Sequence, residues 1–169
     1  EFVYVISPEA ETAYEPADGL VMARVPRDRI TDRNAWESLA GSAPGGSPSW
    51  DKDIRLRKPF FSNPGLAYRS SISWNPGLDR YFLCQVNYGG DPRFEGGFGI
   101  YEAVEPWGPW HTVYYTRKWD TGPGESMGIP VKWISPDGLE MHLLFSGEDS
   151  FSVRKVRLIP LGEEAGAAP

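Results

Sequence analysis

Ser71–Val86 reads SISWNPGLDRYFLCQV, and further along Val131–Gly147 reads VKWISPDGLEMHLLFSG. Each stretch runs a strand pattern into a Trp, follows it with a Pro/Gly turn, then a Leu, then an apolar strand. Alternating apolar and polar residues mark half-buried strands, and turns as short as NPGLD and SPDGLE join antiparallel neighbours. One such unit cannot cover its own apolar face, so its recurrence implies sheets stacked on one another.

On either side the same grammar continues. Strands are expected at Val3–Ser7, Leu20–Val25, Ala35–Ala40, Ala67–Trp74, Arg80–Val86, Phe98–Val104, His111–Arg117, Ile129–Ile134, Glu140–Ser146 and Phe151–Ile159. Within DRNAWESLAG, Asp32 as an N-cap and Gly41 past the end fit a short helix as well as a strand. A weaker third copy, YVISPEAETAYEPADGLVMARVP, ends in Val-Pro much as IYEAVEP does. Four strands to a unit give a central unit complete from Ala67 to Arg117, a leading unit without its first strand and a trailing one without its last. The expectation is an all-β fold of antiparallel four-stranded blades over residues 1–161, a partial β-propeller of about 2.5 to 3 blades. The tail, residues 162–169, is small and polar and is expected to be disordered. Closed propellers need more blades than this, so the ring is expected to be completed by further sequence or by another copy of the chain. Open strand edges lead to the same expectation of a homo-oligomer, joined at the strand near Val3 or the one near Val153.

Composition narrows the function. The 169 residues suit one domain, and 19 Gly, 16 Pro and 14% aromatics favour turns and sheet over helix. A net charge of −6 repels a phosphate backbone, so nucleic acid is not an expected partner. No apolar run is long enough for a membrane-spanning helix, and no signal segment opens the sequence; the compartment stays open. The single Cys84, within YFLCQV, reads as a buried thiol. P-loop, dinucleotide and G-x-S-x-G signatures are lacking.

The aromatic-rich turn VEPWGPWHTVYY, Val104–Tyr115, reads as a hairpin in which Pro106 and Pro109 fix φ, Gly108 supplies a permissive backbone and the indoles pack over neighbouring sheets. The same rings, facing a groove, would make a platform for a ligand.

Taken with DPRFEGGFGIYEAVEPWGPWHTVYYTRKWD, the segments YRSSISWNPGLDRYFL and IPVKWISPDGLEMHLLFSGEDSFSVRKVRL resemble five-bladed β-propellers allied to glycoside hydrolases. These are domain-of-unknown-function propellers, among them endo-D-arabinanases, and the resemblance runs from about Val3 to Leu161. It implies a partial five-bladed propeller, a pocket on the central axis and carbohydrate as the ligand, with carboxylates as acid and base or nucleophile.

Candidate site residues follow from strand parity and loop composition. Arg69, Ser71, Ser73 and Lys132 alternate with Ile72, Trp74, Val131 and Trp133, and are expected to face the axis as a cationic, hydroxyl-bearing floor. Trp107, Trp110 and Trp119 are the candidate sugar platforms. Glycoside hydrolysis uses paired carboxyls, and Asp91 with Glu95 in GGDPRFEGGFG is the first candidate pair; Asp120, Glu125 and Glu15 lie in comparable loops. No cofactor is expected. Ca2+ through Asp149 or Asp91 is compatible with the loop chemistry, whereas His111 and His142 lack the spacing of a zinc site. The SPDG at Ser135–Gly138 reads as an Asp-stabilised turn.

Overall fold

A computed structural model describes residues 1–12, 14–42, 46–88, 95–118, 125–147 and 150–161. Its strands are β1 (Phe2–Pro8), β2 (Ala17–Pro26), β3 (Glu37–Ser42), β4 (Pro48–Asp51), β5 (Phe61–Asn75), β6 (Arg80–Asn87), β7 (Glu95–Ala103), β8 (His111–Lys118), β9 (Ser126–Gly128), β10 (Glu140–Gly147) and β11 (Ser150–Arg157). The ladders are antiparallel. One sheet runs β4-β3-β2-β5-β6-β7-β8 with β1 also on β2, and a second runs β11-β10-β9. The fold is all-β and antiparallel, and none of its described helices is long and apolar enough to cross a membrane.

β5 organises the molecule. Its first half pairs with β2 (Gly19 with Ser62, Leu20 with Phe61), its second half with β6 (Ser70–Asn75 with Gln85–Arg80), and the register shifts on both sides near Ala67. An irregularity of this kind bends a strand and lets it pass between layers. The leading strands β1–β4 thus belong to the same sheet as the central strands yet pack back on them. Ala17, Leu20, Ala67, Leu83 and Tyr101 form the core between the two.

The opposite face of the central strands meets β9–β11. Tyr68, Phe82, Cys84, Val86, Phe98 and Ile100 interleave with Met127, Ile129, Met141, Leu143 and Phe145. Along β6, then, odd and even positions are both buried, under different neighbours. That explains why YFLCQV is apolar almost throughout, as a strand covered on two sides must be.

The two repeated turns lie against each other. The buried Asn75 accepts from the backbone N–H groups of Gly77 (3.1 Å) and Leu78 (3.2 Å), and its amide donates to the Gly138 carbonyl (2.9 Å). Gly77 has no room for a Cβ, which would strike the backbone of Asp137 and Gly138. Gly138 takes φ +76° and supplies the tight second turn, where the Asp137 carboxylate accepts from Ser135 Oγ and the Leu139 N–H.

The structure departs from the sequence reading at several places, among them β5, which begins at Phe61 rather than Ala67, and the unexpected β9. Residues 131–133 form a 3-10 turn instead of continuing a strand from Ile129 to Ile134. Pro130 has no N–H to give a ladder, and its carbonyl instead accepts from the Trp133 N–H at 2.9 Å. DRNAWESLAG combines both readings, a single 3-10 turn at Arg33–Ala35 capped by Asp32 and then the strand β3. β4, Pro48–Asp51, adds an edge strand with a short sequence signal. Residues 162–169 lie outside the described residues.

Candidate functional site

The hairpin between β7 and β8 carries the aromatic turn. Gly108 takes φ +89°, its N–H donates to the Glu105 carbonyl at 2.9 Å, and the Gly108–Pro109 bond is cis. The two indoles go to different neighbours. Trp107 meets Trp50 edge-on at 6.2 Å and Tyr4 at 6.4 Å, while Trp110 meets Phe60 at 6.3 Å beside an open cleft of about 310 Å3 that Asn63, Tyr101 and Thr112 also line. Among the described residues the buried Nε1 of Trp110 has no hydrogen-bond partner.

Trp107 belongs to a cluster that the sequence reading missed. The Arg24 guanidinium lies 4.3 Å from the centroids of both Phe2 and Trp50 and donates twice to Glu37 Oε2, at 2.9 and 3.0 Å. The β1–β2 register places Tyr4 opposite Arg24, which brings the ring of Tyr4 onto Trp50 at 5.8 Å. Alternation along FVYVI points to a shared face for Phe2 and Tyr4, but Trp50 sits on the unexpected β4. A cation held between two rings and a carboxylate orders this corner.

Ser71 and Ser73 face the trailing sheet. Their hydroxyls donate to the carbonyls of Met127 (2.9 Å) and Ile129 (2.6 Å), so they bind one layer to the next. Lys132 lies in the 3-10 turn at residues 131–133, with its ammonium 5.9 Å from the Trp133 ring. That ring in turn meets His142 at 5.9 Å. Among the described residues no hydrogen bond or ion pair joins Lys132 to Arg69.

Arg69 has a different setting. Its Nη1 pairs with Glu125 Oε2 at 3.2 Å, and its guanidinium lies 5.1 Å from the Tyr14 ring and 5.4 Å from the Tyr68 ring. Tyr68, nearly sealed, packs edge-on against Tyr88 at 5.5 Å. Tyr14 is 72% exposed. Glu125 is fixed at the backbone by donation of its N–H to the Ser146 carbonyl at 2.7 Å. Burial raises the Tyr68 phenol above its usual value and the Glu125 charge adds to this, while the Arg69 charge opposes it. The phenol stays protonated and remains a donor at neutral pH. One cation, one carboxylate and three tyrosines therefore gather where β5 leaves its bend.

This constellation joins two residues singled out in the sequence, Arg69 and Glu125, from segments far apart in the chain. It adds Tyr14, Tyr68 and Tyr88, for which the only prior signal was Tyr14 preceding Glu15-Pro16 in a turn-forming stretch. Asp91, Trp119, Asp120 and Asp149 lie outside the described residues, as does the side chain of Glu95, whose backbone pairs with Lys118 at the start of β7. Among the described residues no group of three or more His, Cys, Asp or Glu converges as a metal site would require. The Cys84 thiol, pushed up to about 12 by burial, is not a nucleophile in the folded chain.

Neither models of protein families nor curated proteins match the chain.

Proposed function

We propose that the chain is a carbohydrate-active domain of the glycoside hydrolase-like propeller kind, and that a glycan seats at the Arg69 end of β5. One observation carries this reading: a guanidinium lies against an exposed tyrosine ring while holding a carboxylate of a different segment. An exposed ring offers its face to the C–H side of a pyranose or furanose. The adjacent carboxylate and guanidinium accept from and donate to ring hydroxyls, and the guanidinium also suits a uronate. Hydrolysis needs two carboxyls roughly 5 to 9 Å apart across the scissile bond. In this reading Asp91 and Glu95 supply them, and Glu125 positions the sugar.

The test is calorimetric binding and product release with arabinans, fructans and uronate-containing polysaccharides. The reading expects binding by at least one of them, with Tyr14→Ala and Arg69→Ala each lowering affinity about tenfold, the equivalent of about 1.4 kcal/mol. Release of sugar that is abolished in Asp91→Asn or Glu95→Gln would make the domain a hydrolase. Binding without release would make it a non-catalytic glycan-binding module. Indifference to every polysaccharide would end the reading.

A further inference from the structure

We propose that the cleft between the first half of β5 and the β7–β8 hairpin binds a neutral sugar unit, with the Trp110 and Phe60 rings against its C–H face and Asn63 and Tyr101 on its hydroxyls. This cleft lies apart from the Arg69 constellation, since β5 carries Asn63 ahead of its bend near Ala67 and Arg69 beyond it. A row of carboxamides fixes one wall. The Gln85 amide donates to the Leu66 carbonyl at 2.9 Å, and the Asn87 amide to the Thr116 carbonyl at 3.1 Å. A backbone carbonyl only accepts, so both side chains are held nitrogen to main chain, and their oxygens are left to accept from elsewhere. Asn63 Nδ2 donates to Gln85 Oε1 and to Asn87 Oδ1, each at 3.2 Å. Both N–H bonds of Asn63 are thereby spent on the interior. Its Oδ1 accepts from no described residue, and Asn63 stands half-buried on the cleft wall.

A second wall carries a hydroxyl that the fold does not use. Tyr101 is only 7% exposed, lines the cleft and meets Phe61 edge-on at 4.6 Å. Its side chain runs back along β7 over Gly99, where an added Cβ would strike the phenol oxygen. By register Gly99 lies between Gln85 of β6 and Tyr115 of β8, which sets the phenol beside the carboxamide row. Among the described residues this phenol has no hydrogen-bond partner, and burial, which pushes it up to about 12, keeps it a donor at neutral pH. An enclosed hydroxyl with nothing to bond is destabilising until water or a ligand meets it.

The remaining surface is carbon. The pyrrole edge of Trp110 lies over Gly108, where an added Cβ would strike it, and its Nε1 is sealed from solvent. The indole therefore meets the cleft with its carbon surface, beside the Phe60 ring. Among the described residues no charged side chain lines the cleft, whose polar groups are those of Ser62, Asn63, Tyr101 and Thr112. A carboxylate or phosphate would find no cation there, and an amine no anion. A sugar ring satisfies the whole set: one hydroxyl donates to Asn63 Oδ1, a neighbouring one accepts from Tyr101, and the C–H face covers an aromatic ring. About 310 Å3 is at the small end for a ligand site, and suits one unit of a longer chain that leaves by the open side.

The experiment is an NMR titration of the isotope-labelled full chain with neutral arabino-, xylo-, gluco- and manno-oligosaccharides, read at the backbone amides. At least one of them is expected to shift the amides of Asn63, Tyr101 and Thr112. Tyr101→Phe removes only the unbonded hydroxyl, so its urea midpoint is expected to match or exceed that of the wild type while affinity falls about tenfold. Thr112→Trp, at an exposed strand position, fills the cleft and is expected to abolish the shifts. Should it fail to fold, Ser62→Trp fills the same cleft from β5. Arg69→Ala is expected to leave these shifts intact, so failure of the Arg69 site and failure of this one are read separately. A wild type that no neutral oligosaccharide shifts, a Tyr101→Phe or cleft-filled variant that binds as the wild type does, or shifts lost in Arg69→Ala would each overturn the proposal.

Discussion

Asn75 does three things with one side chain: its oxygen caps the turn at Gly77 and Leu78, and its amide reaches the carbonyl of Gly138 in the next repeat. Replacing it by Ala leaves buried donors and an acceptor unpaired, and Asn75→Ala is expected to lose about 2 to 3 kcal/mol in urea unfolding. Gly77→Ala drives a methyl into the backbone of Asp137 and Gly138 and is expected to cost about 3 kcal/mol or to prevent folding. A Gly77→Ala midpoint equal to wild type would contradict the turn-on-turn contact. The buried Cys84 thiol and Tyr101 phenol are each pushed up to about 12. Unfolding returns them to ordinary values near 9 and 10, so above pH 9 the unfolded chain binds fewer protons than the folded one. Stability is then full below pH 9 and falls as pH rises from there toward 12. Cys84→Ala is expected to flatten the first part of that fall, measured as unfolding midpoints from pH 8 to 11.

At the level of strands, the turns and alternation in SISWNPGLDRYFLCQV already contain β6, the second half of β5 and the hairpin between them. What alternation cannot reveal is which neighbour covers each side. Ser71 and Ser73 alternate with Ile72 and read as a polar floor toward a central axis, yet their hydroxyls close on the carbonyls of Met127 in β9 and of Ile129 just beyond it. A small hydroxyl serves equally at a wet surface and at a tight sheet-to-sheet contact, so the residue type alone does not decide. The Ser71→Ala, Ser73→Ala double variant is expected to lose about 1 to 3 kcal/mol, with an unchanged denaturant slope. The extent of β5 was hidden for another reason: SNPGLA carries turn residues, and only the register shift near Ala67 shows that they bend a continuing strand. In the candidate site, Arg69 and Glu125 were legible as polar residues worth attention, but their meeting depends on the docking of β9–β11. Tyr14, in an irregular stretch without periodicity, left no signal of its approach to Arg69.

For the molecule as a whole, the central strands are covered on two sides and the outer ones on one. β6 is buried along nearly its whole length, whereas β8 is exposed at most positions. Hydrogen exchange should follow this grading. Amides of Leu83, Cys84 and Val86 are expected to exchange only with global unfolding, and those of β8 and β11 through smaller openings. Equal protection of β6 and β8 would refute a layered core. The Arg24 corner adds a second expectation. Because Arg24 joins β1, β3 and β4 through two rings and Glu37, Arg24→Ala is expected to lower stability by about 2 kcal/mol and to speed exchange in β1 first.

Where the Gly77 and Gly138 turns meet, main chain approaches main chain with no room for a Cβ at Gly77, and the Asn75 amide bridges to the Gly138 carbonyl. The angle at which one layer follows the next is consequently set by peptide geometry. Core substitutions can then loosen or tighten the stack while leaving its pitch unchanged. One residue inserted into either turn would splay the layers like the ribs of a fan.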